Sequence, residues 1–181
     1  MRSFMLANAF TALILTAGIF GIFYGWVCTV MWGLDTAPPD VAIRAMQAMN
    51  ASIRNAAFFP VFFLPPVFAG LTAVSALVSG QRQPALLFAG AALLCLFGII
   101  VLTFNINVPM NDALAVTEIP DNPVDAARVW AEFSDTWQVW NQIRTGAGFL
   151  AVLAIGWGLI SLDRPKAGCQ VSVQRAANRS N

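Results

Sequence analysis

The chain has no histidine, and only 10% of its 181 residues are charged. Without imidazole, a histidine-ligated haem, copper or zinc centre has no ligands. No carboxylate falls inside the long apolar stretches, so the Glu and Glu-x-x-His set of di-iron bundles is missing. A proton relay through a bilayer lacks titratable residues for the same reason. Gly-rich phosphate loops and nucleophile elbows are absent as well. The three cysteines, Cys28, Cys95 and Cys169, offer no disulfide framework and are expected to be buried free thiols. A net charge of +1 gives no reason to expect nucleic acid as a partner.

What the chain has is apolar length: 58% of it is hydrophobic, with a mean hydropathy of +0.68. Four stretches, near 9–33, 56–79, 84–106 and 146–162, suit a hydrocarbon core that takes roughly 20 helical residues to cross. The expected fold is all-α: a four-helix transmembrane bundle forming one domain over 1–162, then a basic, disordered cytoplasmic tail over 163–181. The first stretch exceeds a signal-peptide core and precedes no cleavage motif, so it reads as a retained helix. Arg2, Arg82, Arg164, Lys166, Arg175 and Arg179 lie in the N-terminus, second loop and tail. Asp35, Asp40, Asp112, Glu118, Asp121, Asp125, Glu132 and Asp135 lie in the first and third loops. Basic residues mark the cytoplasmic side, so both termini are expected there, in a bacterial inner membrane.

Gly21 and Gly25 have G-x-x-x-G spacing and are expected to serve packing within the molecule. Tyr24, Trp26 and Trp32 suit an interfacial aromatic belt. After Pro38-Pro39, apolar Ile43, Met46, Met49 and Ile53 recur at helical spacing, with Gln47, Asn50 and Arg54 on another stripe. This predicts an amphipathic helix over 41–54 in the first loop. The second span holds Pro60, Pro65 and Pro66, which remove backbone donors and break a helix. The resulting bend opens space that Phe58, Phe59, Phe62 and Phe63 can line. A tight turn at Gln81–Pro84 makes the second and third spans antiparallel neighbours. The third span ends in Asn107-Val108-Pro109-Met110-Asn111-Asp112, with Pro109 suited to a first helical turn. From Asp121 or Asn122 a helix is expected to run without interruption through the third loop into the fourth span. It carries Trp137, Asn141 and Arg144 on one face, with Trp140 four residues before the arginine.

An intramembrane arginine needs a partner, and Asp112 and Asp135 are the nearest in sequence. Asn50, Arg54, Asn107, Asn111, Asp112, Trp137, Trp140, Asn141 and Arg144 all fall at one end of the expected topology. Amides and guanidinium groups bind ligand oxygens and aromatic walls hold an apolar body, which suits a hydrophobic phenol or a quinone-like molecule.

Asn107-x-Pro109-x-Asn111, then Trp140-Asn141-x-x-Arg144, resembles the anthrone oxygenase-like integral membrane family. Phe23-Tyr24 and Met49-Asn50 look similar too, and the likeness covers most of residues 10–162. The resemblance implies four membrane helices and oxygenation of an anthrone-like substrate without a known prosthetic group. As an enzyme, the chain would hold an oxyanion with Arg144 and Asn111, and Asp112 would take the proton. Trp137 and Trp140 would stack on the ring, while Asn50, Arg54, Asn107 and Asn141 would bind substrate, with no metal. The alternative is a non-catalytic membrane subunit or scaffold whose Asn/Arg cluster clasps helices together and leaves no cavity. The oligomeric state is not legible in the sequence.

Overall fold

The computed structural model describes residues 2–162, so the basic tail, with Cys169, lies outside the described residues. Those residues form helices and no strands. The elements are α1 (Arg2–Gly25), α2 (Met31–Thr36), α3 (Pro39–Ser52), α4 (Phe58–Phe63), α5 (Pro65–Val78), α6 (Arg82–Leu93), α7 (Val108–Ala115) and α8 (Pro123–Leu162). Three π-helical segments, Trp26–Val30, Leu94–Val101 and Thr103–Asn107, join α1 to α2 and α6 to α7. Three continuous helices are long and apolar enough to cross a membrane: Arg2–Thr36, Arg82–Ala115 and Pro123–Leu162. They follow the expected first, third and fourth spans, the first two extended at both ends and the last at its start.

The expected second span is not one helix. It breaks at Leu64 into α4 and α5. All three prolines sit in or next to a first helical turn, where no intrahelical donor is needed. The expected loss of carbonyl partners is therefore small: Leu64 N–H still reaches Pro60 O at 3.1 Å and Phe68 N–H reaches Leu64 O at 3.1 Å.

Helix α5 packs against α6 and α1, and α8 packs against α1 and α6, so the four pairings close a ring. Gly80 ends α5 at φ 72°, a left-handed conformation that glycine adopts freely, and Gln81 N–H caps Ala76 O at 2.9 Å. This turn reverses the chain between α5 and α6, as expected from the sequence.

The core divides into three layers along the helices. Near the chain termini it is built mainly from alanines around Phe88 and Ile155. The middle layer is Ile19, Phe23, Phe62 and Ile99. The far layer joins Ile43 and Met46 of α3 to Leu114, Trp130, Phe133 and Trp137. The amphipathic α3 therefore folds down as a lid on the far end, and Gln47 of its polar stripe is engaged there. Gln47 Nε2 donates to the carbonyls of Leu114 and Thr117 at 2.8 and 3.2 Å. Asp35 at the end of α2 accepts from Trp130 Nε1 at 2.9 Å and Ser134 Oγ at 2.8 Å, fixing α2 to α8. Asn122 Oδ1 accepts from Val124 N–H at 2.9 Å and starts α8, with Asp125 in its first turn.

Some sequence expectations are corrected. A Cβ on Gly21 or Gly25 would meet nothing within 4 Å, so this pair is not a packing face within the described residues. The close approaches are elsewhere: a Cβ on Gly98 would lie 2.7 Å from Ala147 Cβ, and one on Gly158 2.7 Å from Phe88 Cε2. Cys95 is buried but Cys28 is exposed. Tyr24 and Trp32 are exposed, as a belt requires, whereas Trp26 turns inward against Trp137, ring centroids 5.1 Å apart.

Candidate functional site

The break between α4 and α5 borders a cavity of about 260 Å³. Phe58, Phe59, Phe62 and Phe63 all line it, and Phe104 meets Phe62 and Phe63 at ring-centroid distances of 6.2 and 6.1 Å. Ile22, Phe23 and Trp26 form the side facing the first helix. Trp26, Thr103 and Phe104 belong to π-helical segments, whose wider turns shift the side chains that follow to a new angle. Asn50 and Arg54 enter from α3 and the turn after it, Asn111 from α7, and Trp137, Asn141 and Arg144 from α8.

Arg144 is 4% exposed. Its Nη2 donates to Asn141 Oδ1 at 3.0 Å and its Nη1 to Thr103 Oγ1 at 3.2 Å. The guanidinium carbon lies 4.5 Å from the Phe23 ring centroid and 5.4 Å from that of Trp137. Both ring faces attract the cation, each by about 0.5–2 kcal/mol. Its Nε is buried without a partner. The carboxylate expected beside it is not there. Asp112 pairs with Arg54 instead, and both side chains are more than half exposed. Asp135 is exposed on α8. Nearness in sequence misjudged this pairing, because Asp112 follows the cavity-facing Asn111 by one residue and points off the wall.

Asn141 joins two helices with one side chain: its Nδ2 donates to Phe23 O at 3.1 Å while its Oδ1 holds Arg144. Asn111 Oδ1 accepts from Trp137 Nε1 at 2.9 Å, fixing the indole in the wall. Asn50 Nδ2 is buried and unpartnered. Asn107 is fully buried with both amide atoms unpartnered, between Thr103 and Asn111 along the helix but outside the cavity wall.

Of the nine expected site residues, the cavity gathers Asn50, Arg54, Asn111, Trp137, Asn141 and Arg144. Asn107, Asp112 and Trp140 are not on its wall. Phe23, Trp26, Thr103 and Phe104 were not expected there. Phe23 contributes a ring face and a backbone carbonyl, for which a sequence carries no signal. The polar break after Phe104 hinted at the level of Thr103 but not at its contact.

The wall is thus mostly apolar and rich in aromatic rings, with hydrogen-bond donors concentrated around Arg144. It suits a flat apolar body bearing an oxygen acceptor. A family model described as anthrone oxygenase matches residues 50–154, more than half of the chain. That span takes in each polar residue on the cavity wall, from Asn50 to Arg144. No curated protein and no solved structure matches. On the family match, the chain belongs to the anthrone oxygenase family.

Proposed function

We propose that this is a four-helix transmembrane bundle of a bacterial inner membrane whose cavity binds and oxygenates a planar phenolic or anthrone-like molecule. Family membership supports the reaction class. The observation that carries the reading is Arg144, a buried cation among aromatic rings on the wall of a cavity of about 260 Å³.

The chemistry needs a substrate able to donate its own electrons. Loss of a proton from a ring methylene leaves an anion delocalised onto the ring oxygen. Dioxygen takes electrons from that anion and bonds to its carbon. The O–O bond then breaks as the second methylene proton departs, so CH₂ and O₂ become C=O and H₂O. Arg144, with the amide donor of Asn111, would hold the ring oxygen while it carries charge. Trp137 and the α4 phenylalanines would hold the rings, and Arg54 would close the mouth. Asp112, engaged by Arg54 off the wall, is given no step.

The test uses the protein in lipid nanodiscs with an anthrone and an oxygen electrode. Oxygen uptake is expected to exceed the protein-free rate and to match the anthraquinone formed. Arg144→Gln should lower the rate by about 10²-fold with helical content unchanged. A wild-type rate equal to buffer would remove the enzymatic reading.

The second reading is a non-catalytic membrane subunit or scaffold. Asn141 bonded to Phe23 O and Arg144 bonded to Thr103 tie α8 to two other helices, which favours it, whereas the cavity beside them counts against a clasp expected to leave none. On that reading Arg144→Gln unfolds the protein and no aromatic ligand binds.

A further inference from the structure

We infer that the cavity selects its ligand as an anion, a planar aromatic phenolate or enolate whose oxygen supplies the counter-ion the fold does not give Arg144. This rests on the reading of the cavity as a ligand site, and it adds which protonation state is bound and where the proton goes.

The charges around Arg144 are one-sided. The first helix and α4 contribute only apolar and aromatic side chains to the wall. The long helix Arg82–Ala115 contributes Thr103 and Asn111 as its polar groups, and α3 contributes Asn50. The other charged group on the wall, Arg54, is also a cation, and its partner Asp112 lies off the wall. Among the described residues Arg144 therefore has neutral partners alone: Asn141, Thr103 and two ring faces. A buried charge without a counter-charge is strongly destabilising.

Two further donors point the same way. Arg144 Nε and Asn50 Nδ2 are both buried, both unpartnered, and both belong to wall residues. Two amide acceptors on the same wall are already used: Asn141 Oδ1 by Arg144, and Asn111 Oδ1 by Trp137. A ligand that accepts with a full negative charge supplies the counter-charge that the wall does not give Arg144. The aromatic wall selects a flat body over a flexible chain.

One consequence is that no protein base is needed. The bound ligand ionises because Arg144 stabilises its anion, and the proton leaves to water. That accounts for a wall with two guanidinium groups and no carboxylate.

The experiment uses 2-hydroxyanthraquinone, whose absorption separates the phenol from the phenolate, with the full-length protein in nanodiscs. Bound probe should show the phenolate spectrum at a pH where free probe is neutral. Below the probe's own pKa, affinity should rise about tenfold per pH unit, then level off above it. Arg144→Gln should abolish the spectral shift. Asn50→Asp, which adds a carboxylate to the same wall, should weaken phenolate binding by about tenfold or more and serves if Arg144→Gln fails to fold. A long-chain fatty acid brings the same charge on a flexible chain and should not displace the probe; displacement at equal affinity would overturn the aromatic assignment. Probe bound in its neutral form, or affinity flat with pH, would overturn the inference while leaving oxygen uptake to judge the proposed reaction separately. Phenolate binding without oxygen uptake would do the reverse.

Discussion

Asn141 carries two loads on one amide, and substitution separates them from the rest of the site. Its nitrogen satisfies Phe23 O on the first helix and its oxygen orients Arg144. Asn141→Leu keeps the volume and removes both bonds. Burying an unpaired guanidinium nitrogen should cost about 1–3 kcal/mol of stability, read from denaturation in detergent. Probe binding should fall further than stability, since Arg144 then swings off its line to the ligand; equal wild-type affinity in a folded variant would mean that Asn141 does not position it. Much of this was legible beforehand. Trp137, Asn141 and Arg144 share a face by their spacing alone, and a buried arginine announces itself in so apolar a chain. The partners were not legible. Thr103 Oγ1, the Phe23 ring and a main-chain carbonyl come from other helices, and their contact depends on the rotation of each helix about its axis.

At the scale of elements, the prolines announced a break and its phenylalanines announced a wall, and the structure agrees on both. Where the break falls, and that each proline lands near a helix start, follows from packing against α1 and could not be read from the prolines themselves. The π-helical segments were invisible for a related reason. A shift of backbone bonding by one residue changes little in local propensity and is decided by which side chains fit together. Small residues misled in the same way: G-x-x-x-G spacing is common in membrane helices, and only the neighbours reveal which glycine is crowded. This yields a matched pair on α8. Gly158→Ala forces a Cβ to 2.7 Å from Phe88, which is fully buried and cannot retreat freely. It should destabilise by about 1–3 kcal/mol. Gly156→Ala meets nothing within 4 Å and should be near neutral or slightly stabilising. Thermal unfolding of the two variants in one detergent compares them; equal midpoints would refute the close contact between α6 and α8.

For the whole molecule, the number of crossings decides where the chain ends lie. Three helices suffice by length alone, and with three the N-terminus and the end of α8 would face opposite sides. The broken segment changes the parity if it crosses too. Residues 58–78 at about 1.5 Å each reach roughly 30 Å, the thickness of a hydrocarbon core, despite the bend at Leu64. Its packing between α1 and α6 is what the proposed fourth crossing rests on. Four crossings would put Arg2, the turn before Arg82 and the end of α8 on one side. The acidic first and third loops, with the α3 lid and the cavity mouth, then lie on the other. Arg44, Arg54 and Arg128 oppose that assignment by the basic-residue rule, but Arg54 and Arg128 are paired with Asp112, and with Asp125 and Glu132. Cysteine placed at Thr36 or Gln83, on either side of the broken segment and both exposed, with the three native cysteines replaced by alanine, measures this directly. In intact cells a membrane-impermeant maleimide should label Thr36→Cys at once and Gln83→Cys only after the membrane is opened. Labelling of both from outside, or of neither, would mean that α4 and α5 do not cross, and the cavity would then lose its lipid-facing wall.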